Sequence, residues 1–97
     1  MSKLKVAVSD NGNVSVSGEI TFFTVNDVLS FEVFSDKPNV IINLGGVTRS
    51  DSAGLALMVH WLREAKEKQI NLKFEAIPEK LFALAKVSNL DEILPVV

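Results

Sequence analysis

Val40-Ile41-Ile42-Asn43-Leu44-Gly45-Gly46-Val47-Thr48-Arg49-Ser50-Asp51-Ser52-Ala53-Gly54-Leu55 takes the chain from a nearly continuous apolar run, past two glycines and a polar loop, into its clearest helical pattern. Val40 to Leu44 has the length and composition of a central strand buried on both faces, and Gly45-Gly46 is expected to end it. Leu55, Met58, Val59 and Leu62 then recur at i, i+3, i+4 and i+7, and charges crowd the segment from Arg63 to Lys68. This spacing predicts a helix over residues 53 to 68. Strand, loop and helix make one βα unit.

Upstream, Leu4, Val6 and Val8 alternate with polar residues, and the alternation resumes at Val14, Val16 and Gly18 after Asp10-Asn11-Gly12-Asn13. Asn-Gly supplies the positive φ angles of a tight turn, so two antiparallel strands are expected. Phe22 to Phe34 reads as a helix, with Val25, Val28 and Leu29 at helical spacing, and Asp36-Lys37-Pro38-Asn39 breaks it. Downstream, Asn71 to Ala76 alternates as a further strand, and Pro78 is suited to open a helix through Leu81, Phe82, Leu84 and Ala85. A last helical turn is expected around Asp91 to Leu94. A hairpin followed by alternating strands and helices predicts an α/β domain spanning residues 1–97, with one mixed sheet of about four strands and helices packed against it.

Composition narrows the chemistry. Of 97 residues, 47% are apolar and 23% charged, so a packed core can offset the entropy of folding. A net charge of −2 lacks the basic excess that phosphate neutralisation needs, which argues against nucleic acid as a partner. The longest uncharged stretches, Pro38 to Thr48 and Ser52 to Leu62, fall well short of the ~20 residues that cross a bilayer, so no membrane insertion is expected. The alternating N-terminus has no apolar core of signal-peptide length, which predicts a cytoplasmic protein. With no cysteine and one histidine, His60, thiolate chemistry and two-histidine metal sites are absent, and no cofactor is expected.

The remaining catalytic readings fail on geometry. Ser52 and His60 on one helix would lie about 12 Å apart, beyond the reach of a nucleophile and its base. His60 reads as a solvent-facing helix residue. Gly45-Gly46 lacks the Lys-Ser/Thr ending of a phosphate loop and reads more simply as a turn after the strand. Asp91 and Glu92 are adjacent and point apart, unlike a glycosidase pair. The cations of Arg63 to Lys68 are interleaved with acids, as on a solvated helix face.

Information concentrates in Thr48 to Gly54. Asp51 or Ser52 suits the helix N-cap, where the backbone presents partial positive charge, and a phosphate on Ser52 would be tolerated there. Capping alone and a contact or phosphorylation switch both fit these residues. If Leu55, Met58, Val59, Leu62 and Ala65 face the sheet, then Leu57 lies nearly opposite, with Ala53 and Trp61 one turn to either side. Ala53, Leu57 and Trp61 are therefore expected to form an outward apolar flank beside Ser52, a surface for docking.

These residues resemble the STAS domain, the fold of the bacterial anti-sigma factor antagonists. The resemblance rests on Asp51-Ser52-Ala53-Gly54-Leu55-Ala56-Leu57 after a buried strand and on Ser17-Gly18-Glu19-Ile20, and it spans essentially the whole chain. The tail from Leu84 to Leu90 and Ile93-Leu94-Pro95, with the helix motif Gly54-Leu55-Ala56-Leu57, is most similar to the branch that provides the small STAS subunit of Mla-type phospholipid transporters. The resemblance implies no catalysis. For the Mla branch it implies docking on the cytoplasmic ATPase of an ABC transporter, with Ser52 at the contact and the protein peripheral to the inner membrane through that partner. For the antagonist branch it implies phosphorylation of Ser52 by a serine kinase and switched binding to an anti-sigma factor. Thr21-Phe22-Phe23 stands where the family often has an acidic residue, and Phe22 and Phe23 are expected to widen the apolar docking patch.

Overall fold

The computed structural model describes residues 4–9, 12–21 and 38–96. In chain order these form β1 (Lys5–Val8), β2 (Asn13–Ile20), β3 (Asn39–Ser50), α1 (Ser52–Glu67), β4 (Asn71–Glu75) and α2 (Glu79–Val87). The strands make one mixed sheet in the order β1-β2-β3-β4, the first pair antiparallel and the other two parallel. The expected helix over 22 to 34, with Phe22 and Phe23, lies outside the described residues.

The hairpin follows from its turn residues. Gly12 takes φ 88°, a region open to glycine without a Cβ penalty, and the Ser9 backbone N–H donates to the Asn13 carbonyl at 2.8 Å. Beyond the turn, Val14, Val16 and Ile20 alternate inward and join Val40, Ile42, Leu44, Leu72 and Phe74 in one core cluster. From the helices, Leu55, Leu57, Met58, Trp61, Ala65, Leu81 and Ala85 join the same cluster, and Leu94 completes it.

β3 departs from expectation in two ways. It is buried on one face only. Val40, Ile42 and Leu44 point into the core, whereas Ile41 and Asn43 are half-buried and stand in register between Asn13 and Ser15 of β2 and Lys73 and Glu75 of β4. Polar neighbours hold that second face together: the Asn43 Nδ2 donates to the Glu75 Oε1 at 2.6 Å and the Asn71 Nδ2 to the Asn39 Oδ1 at 3.1 Å.

The strand also runs on through Gly45-Gly46 to Ser50 instead of ending there. Ser15 to Ser17 of β2 pairs with Asn43 to Gly46, and Gly18 to Glu19 with Val47 to Arg49, so β3 carries an extra residue at each of two bulges. The glycines permit this close approach. A Cβ on Gly46 would lie 2.7 Å from the Ser17 Cβ and 3.2 Å from the Val16 carbonyl oxygen.

Both described helices end on a left-handed residue. Gln69 (φ 58°) follows α1, with the Ile70 N–H donating to the Ala65 carbonyl at 2.8 Å. Asn89 (φ 57°) follows α2, with the Leu90 N–H donating to the Ala85 carbonyl at 2.8 Å. This six-to-one bond satisfies an orphan carbonyl and turns the next apolar residue, Ile70 or Leu90, back against its helix. Asp91 to Leu94 forms a turn and not the expected helical turn, closed by the Ile93 N–H on the Leu90 carbonyl at 3.1 Å. Val96 then bridges in parallel to Phe74 at the outer edge of β4.

Candidate functional site

Because β3 extends to Ser50, a single residue, Asp51, separates strand from helix. Its backbone is extended (φ −122°, ψ −162°), its N–H donates to the Ile20 carbonyl at 3.2 Å, and its Oδ1 accepts from the Ala53 N–H at 2.8 Å. Asp51 is therefore the N-cap, tied at once to the end of β2 and to the first turn of α1. Replacing it with alanine frees an orphan N–H, so Asp51→Ala is expected to cost about 0.5–2 kcal/mol in urea unfolding. Ser52→Ala is expected to change stability by less than about 0.5 kcal/mol.

With Asp51 as the cap, Ser52 is the first residue of α1 and is exposed. Among the described residues no hydrogen bond engages its hydroxyl. The N-terminal end of the helix adds partial positive charge at this point. Beneath it the helix tip is drawn in tightly: a Cβ on Gly54 would lie 3.2 Å from the Ser50 Cβ, 3.4 Å from the Leu81 Cδ1 and 3.6 Å from the Ile20 Cγ2. Small residues at 53 and 54 let α1 sit down on β2 and α2, which leaves Ser52 standing outward.

The outward apolar flank is a different matter. Ala53 (2% exposed), Leu57 (1%) and Trp61 (1%) are buried, and with Ala65 they form an i, i+4 series inside the core. Val59 and Leu62, expected to face the sheet, are only half-buried. At 100° per residue the core stripe is thus rotated by roughly 80° from the expected one. Burying Trp61, the bulkiest apolar side chain, removes more surface from water than burying Val59 in its place. Ala53, Leu57 and Trp61 accordingly present no docking surface.

The exposed side of α1 instead carries Ser52, Ala56, Val59, His60 and Arg63. With Leu55 and Leu90 these residues line a depression of about 380 Å3. His60 is exposed as expected, with its Nε2 3.6 Å from the Glu64 Oε2 one turn on. Sequence reading missed Val59 and Leu90 as surface-lining residues. The signal available for Leu90 was Asn89, a residue that tolerates a left-handed helix end and sends its apolar successor back to the helix. Among the described residues no group of three or more His, Asp or Glu side chains could hold a metal ion, and no helix is long and apolar enough to cross a membrane.

Comparison with known proteins agrees with this architecture. Residues 5–95 match the family model described as "Mlab, STAS domain". The intermembrane phospholipid transport system binding protein MlaB of Escherichia coli is 30% identical over 83 residues, covering 84% of this chain and 86% of its own. The anti-sigma-B factor antagonist of Listeria monocytogenes is 27% identical over 97 residues, covering 97% of this chain and 85% of its own. Among solved structures, the unphosphorylated anti-sigma factor antagonist SpoIIAA superposes with a TM-score of 0.70 at 14% identity, covering 97% of this chain and 87% of that one. An anti-sigma factor antagonist from Mycobacterium paratuberculosis gives 0.64 at 23% identity, covering 99% and 85%. With a four-stranded mixed sheet and two helices on its core face among the described residues, and a family match over nearly its whole length, the chain belongs to the STAS-domain family, related to MlaB and to the anti-sigma factor antagonists.

Proposed function

We propose that this chain is a non-catalytic STAS subunit that docks on the cytoplasmic ATPase of an Mla-type ABC transporter, which moves phospholipids between the inner and outer membranes. The carrying observation is Ser52, exposed at the tip of α1 with no hydrogen bond on its hydroxyl among the described residues, while Asp51 performs the capping. The likeness to MlaB over most of both chains supports the transporter as the setting. In this reading Asp51 and Ser52 form the contact, and the protein is held at the inner membrane only through its partner. By binding one conformation of the ATPase better than another it shifts that conformation's population.

The test is co-purification with the transporter ATPase of the same organism. Wild-type protein is expected to form the complex, and Ser52→Glu, which puts a carboxylate at the contact without disturbing the cap, to weaken it at least tenfold. An unchanged affinity in a variant with wild-type thermal stability would show that the tip is not the contact.

A second reading, a regulator of the anti-sigma factor antagonist type switched by phosphorylation, draws on the same exposed serine. An N-terminal helix position accommodates the charge of about −1.5 to −2 that a phosphate adds. Incubation with candidate serine kinases and ATP, followed by intact mass and peptide mapping, separates the two. A single phosphate on Ser52 that alters partner binding favours the regulator; an unmodified chain throughout favours the transporter subunit.

A further inference from the structure

Ser52, Ala56, Val59 and Arg63 follow one another at spacings of four, three and four residues, which stacks them on the open stripe of α1. The depression at the Ser52 end continues into a second of about 550 Å3, which reaches Ile70 and Ile93. The two share Val59, Arg63 and Leu90, so they form one groove along the helix. Its floor is apolar. Ile70 and Leu90, turned in by the left-handed helix ends, are half-buried against the core, while Ile93 is 58% exposed.

Charge on the walls is one-sided. Arg63 and Lys66 line the groove, both exposed, and no ion pair engages either among the described residues. Glu64, the acid between them, already lies 3.6 Å from His60 and 4.0 Å from Lys68. From Ser52 to Lys66 the groove extends for about 21 Å at 1.5 Å per residue. An occupant of matching length has about 14 helical residues.

We infer that this groove receives an amphipathic helix of the partner protein whose apolar stripe is flanked by Asp or Glu, laid along α1 beside Ser52. The inference deepens the docking role proposed above and rests on it for placing this flank toward a partner. Apolar anchors at i, i+3, i+4 and i+7 would cover Val59, Leu90 and Ile93, and the flanking carboxylates would meet Arg63 and Lys66. A second copy of this chain fits poorly. Its large apolar helix residues that are exposed, Leu84 and Val87 among the described residues, are flanked by Lys80 and Lys86, which would set cation against cation.

The test titrates the full chain, by methyl NMR, with two synthetic 14-residue peptides sharing one leucine stripe, one flanked by Glu and the other by Lys. The acidic peptide is expected to shift the methyl signals of Val59, Leu62, Ile70, Leu90 and Ile93 and to bind at least tenfold more tightly than its basic twin. Arg63→Glu with Lys66→Glu is expected to reverse that preference. No shifts at these methyls, or equal affinity for both peptides, overturns the inference. So does self-association through the groove in sedimentation velocity, or sodium dodecanoate shifting the same methyls where the acidic peptide does not. The peptides decide the groove; the transporter ATPase, run in parallel, decides the docking role. Acidic-peptide binding without ATPase binding by wild-type protein rejects only the transporter reading, and ATPase binding without acidic-peptide preference rejects only the groove.

Discussion

Trp61→Ala is expected to cost about 3–5 kcal/mol, the range for removing a large aromatic from a packed core. Trp61 is 1% exposed and stands first by volume among the fully buried side chains. A domain of this size holds about 5–15 kcal/mol in all, so the variant should unfold at far lower urea, followed by circular dichroism because the only tryptophan is gone. A tryptophan on an outer flank would give a change within about 0.5 kcal/mol, and that result would reject the helix orientation described here. The same burial governs how docking is probed. Leu57→Asp would place a charge among core side chains and unfold the domain, so a lost complex would report on folding and not on contact. Ser52→Glu changes the surface alone.

The elements were legible where a local rule had one answer. Gly12 with alternating valines on either side yields a hairpin, and Asn71 to Glu75 alternates cleanly because one of its faces is wet. Helix α1 was legible in extent but not in rotation. Its first three turns are apolar nearly all round, so periodicity cannot choose between the Leu55–Val59–Leu62 stripe and the Ala53–Leu57–Trp61 stripe. The choice is made by tertiary packing: Ala53 and Gly54 allow close approach to β2 and α2, and Trp61 removes the most area from water. The helix cap was legible as Asp51 or Ser52, because capping chemistry is local. Which of the two caps depended on β3 reaching Ser50, and that depended on two bulges invisible in a single strand's sequence.

Gly46→Val tests that extension and is expected to cost about 2–3 kcal/mol, toward the upper end for forcing atoms into a packed site. The added Cβ would lie 2.7 Å from the Ser17 Cβ, 3.2 Å from the Val16 carbonyl oxygen and 3.3 Å from the Ser17 Cα. Two of those three atoms are backbone of the paired strand, so no rotamer change relieves the clash, and β2 and β3 must part. A β-branched residue suits a strand and restricts the unfolded chain, which offsets only about 1 kcal/mol. Gly45 gives the contrast. Its nearest obstacle is the Asn43 side-chain Oδ1 at 2.9 Å, which can swing away at the expense of its 2.7 Å bond from the Gly45 N–H, so Gly45→Ala is expected to cost less. If the glycines merely turned the chain after a finished strand, neither substitution would meet a partner strand, and both variants would stay within about 0.5 kcal/mol of wild type. Parting the strands also loosens the Asp51 N–H from the Ile20 carbonyl, the bond that seats the cap on the sheet. Gly46→Val should therefore speed hydrogen exchange at Asp51 and Ala53 more than at Lys73 and Glu75, where β4 pairs with the undisturbed half of β3. Uniform acceleration across all four amides would mean that the clash is spread over the whole sheet and that the tip has no mechanical link of its own to β2.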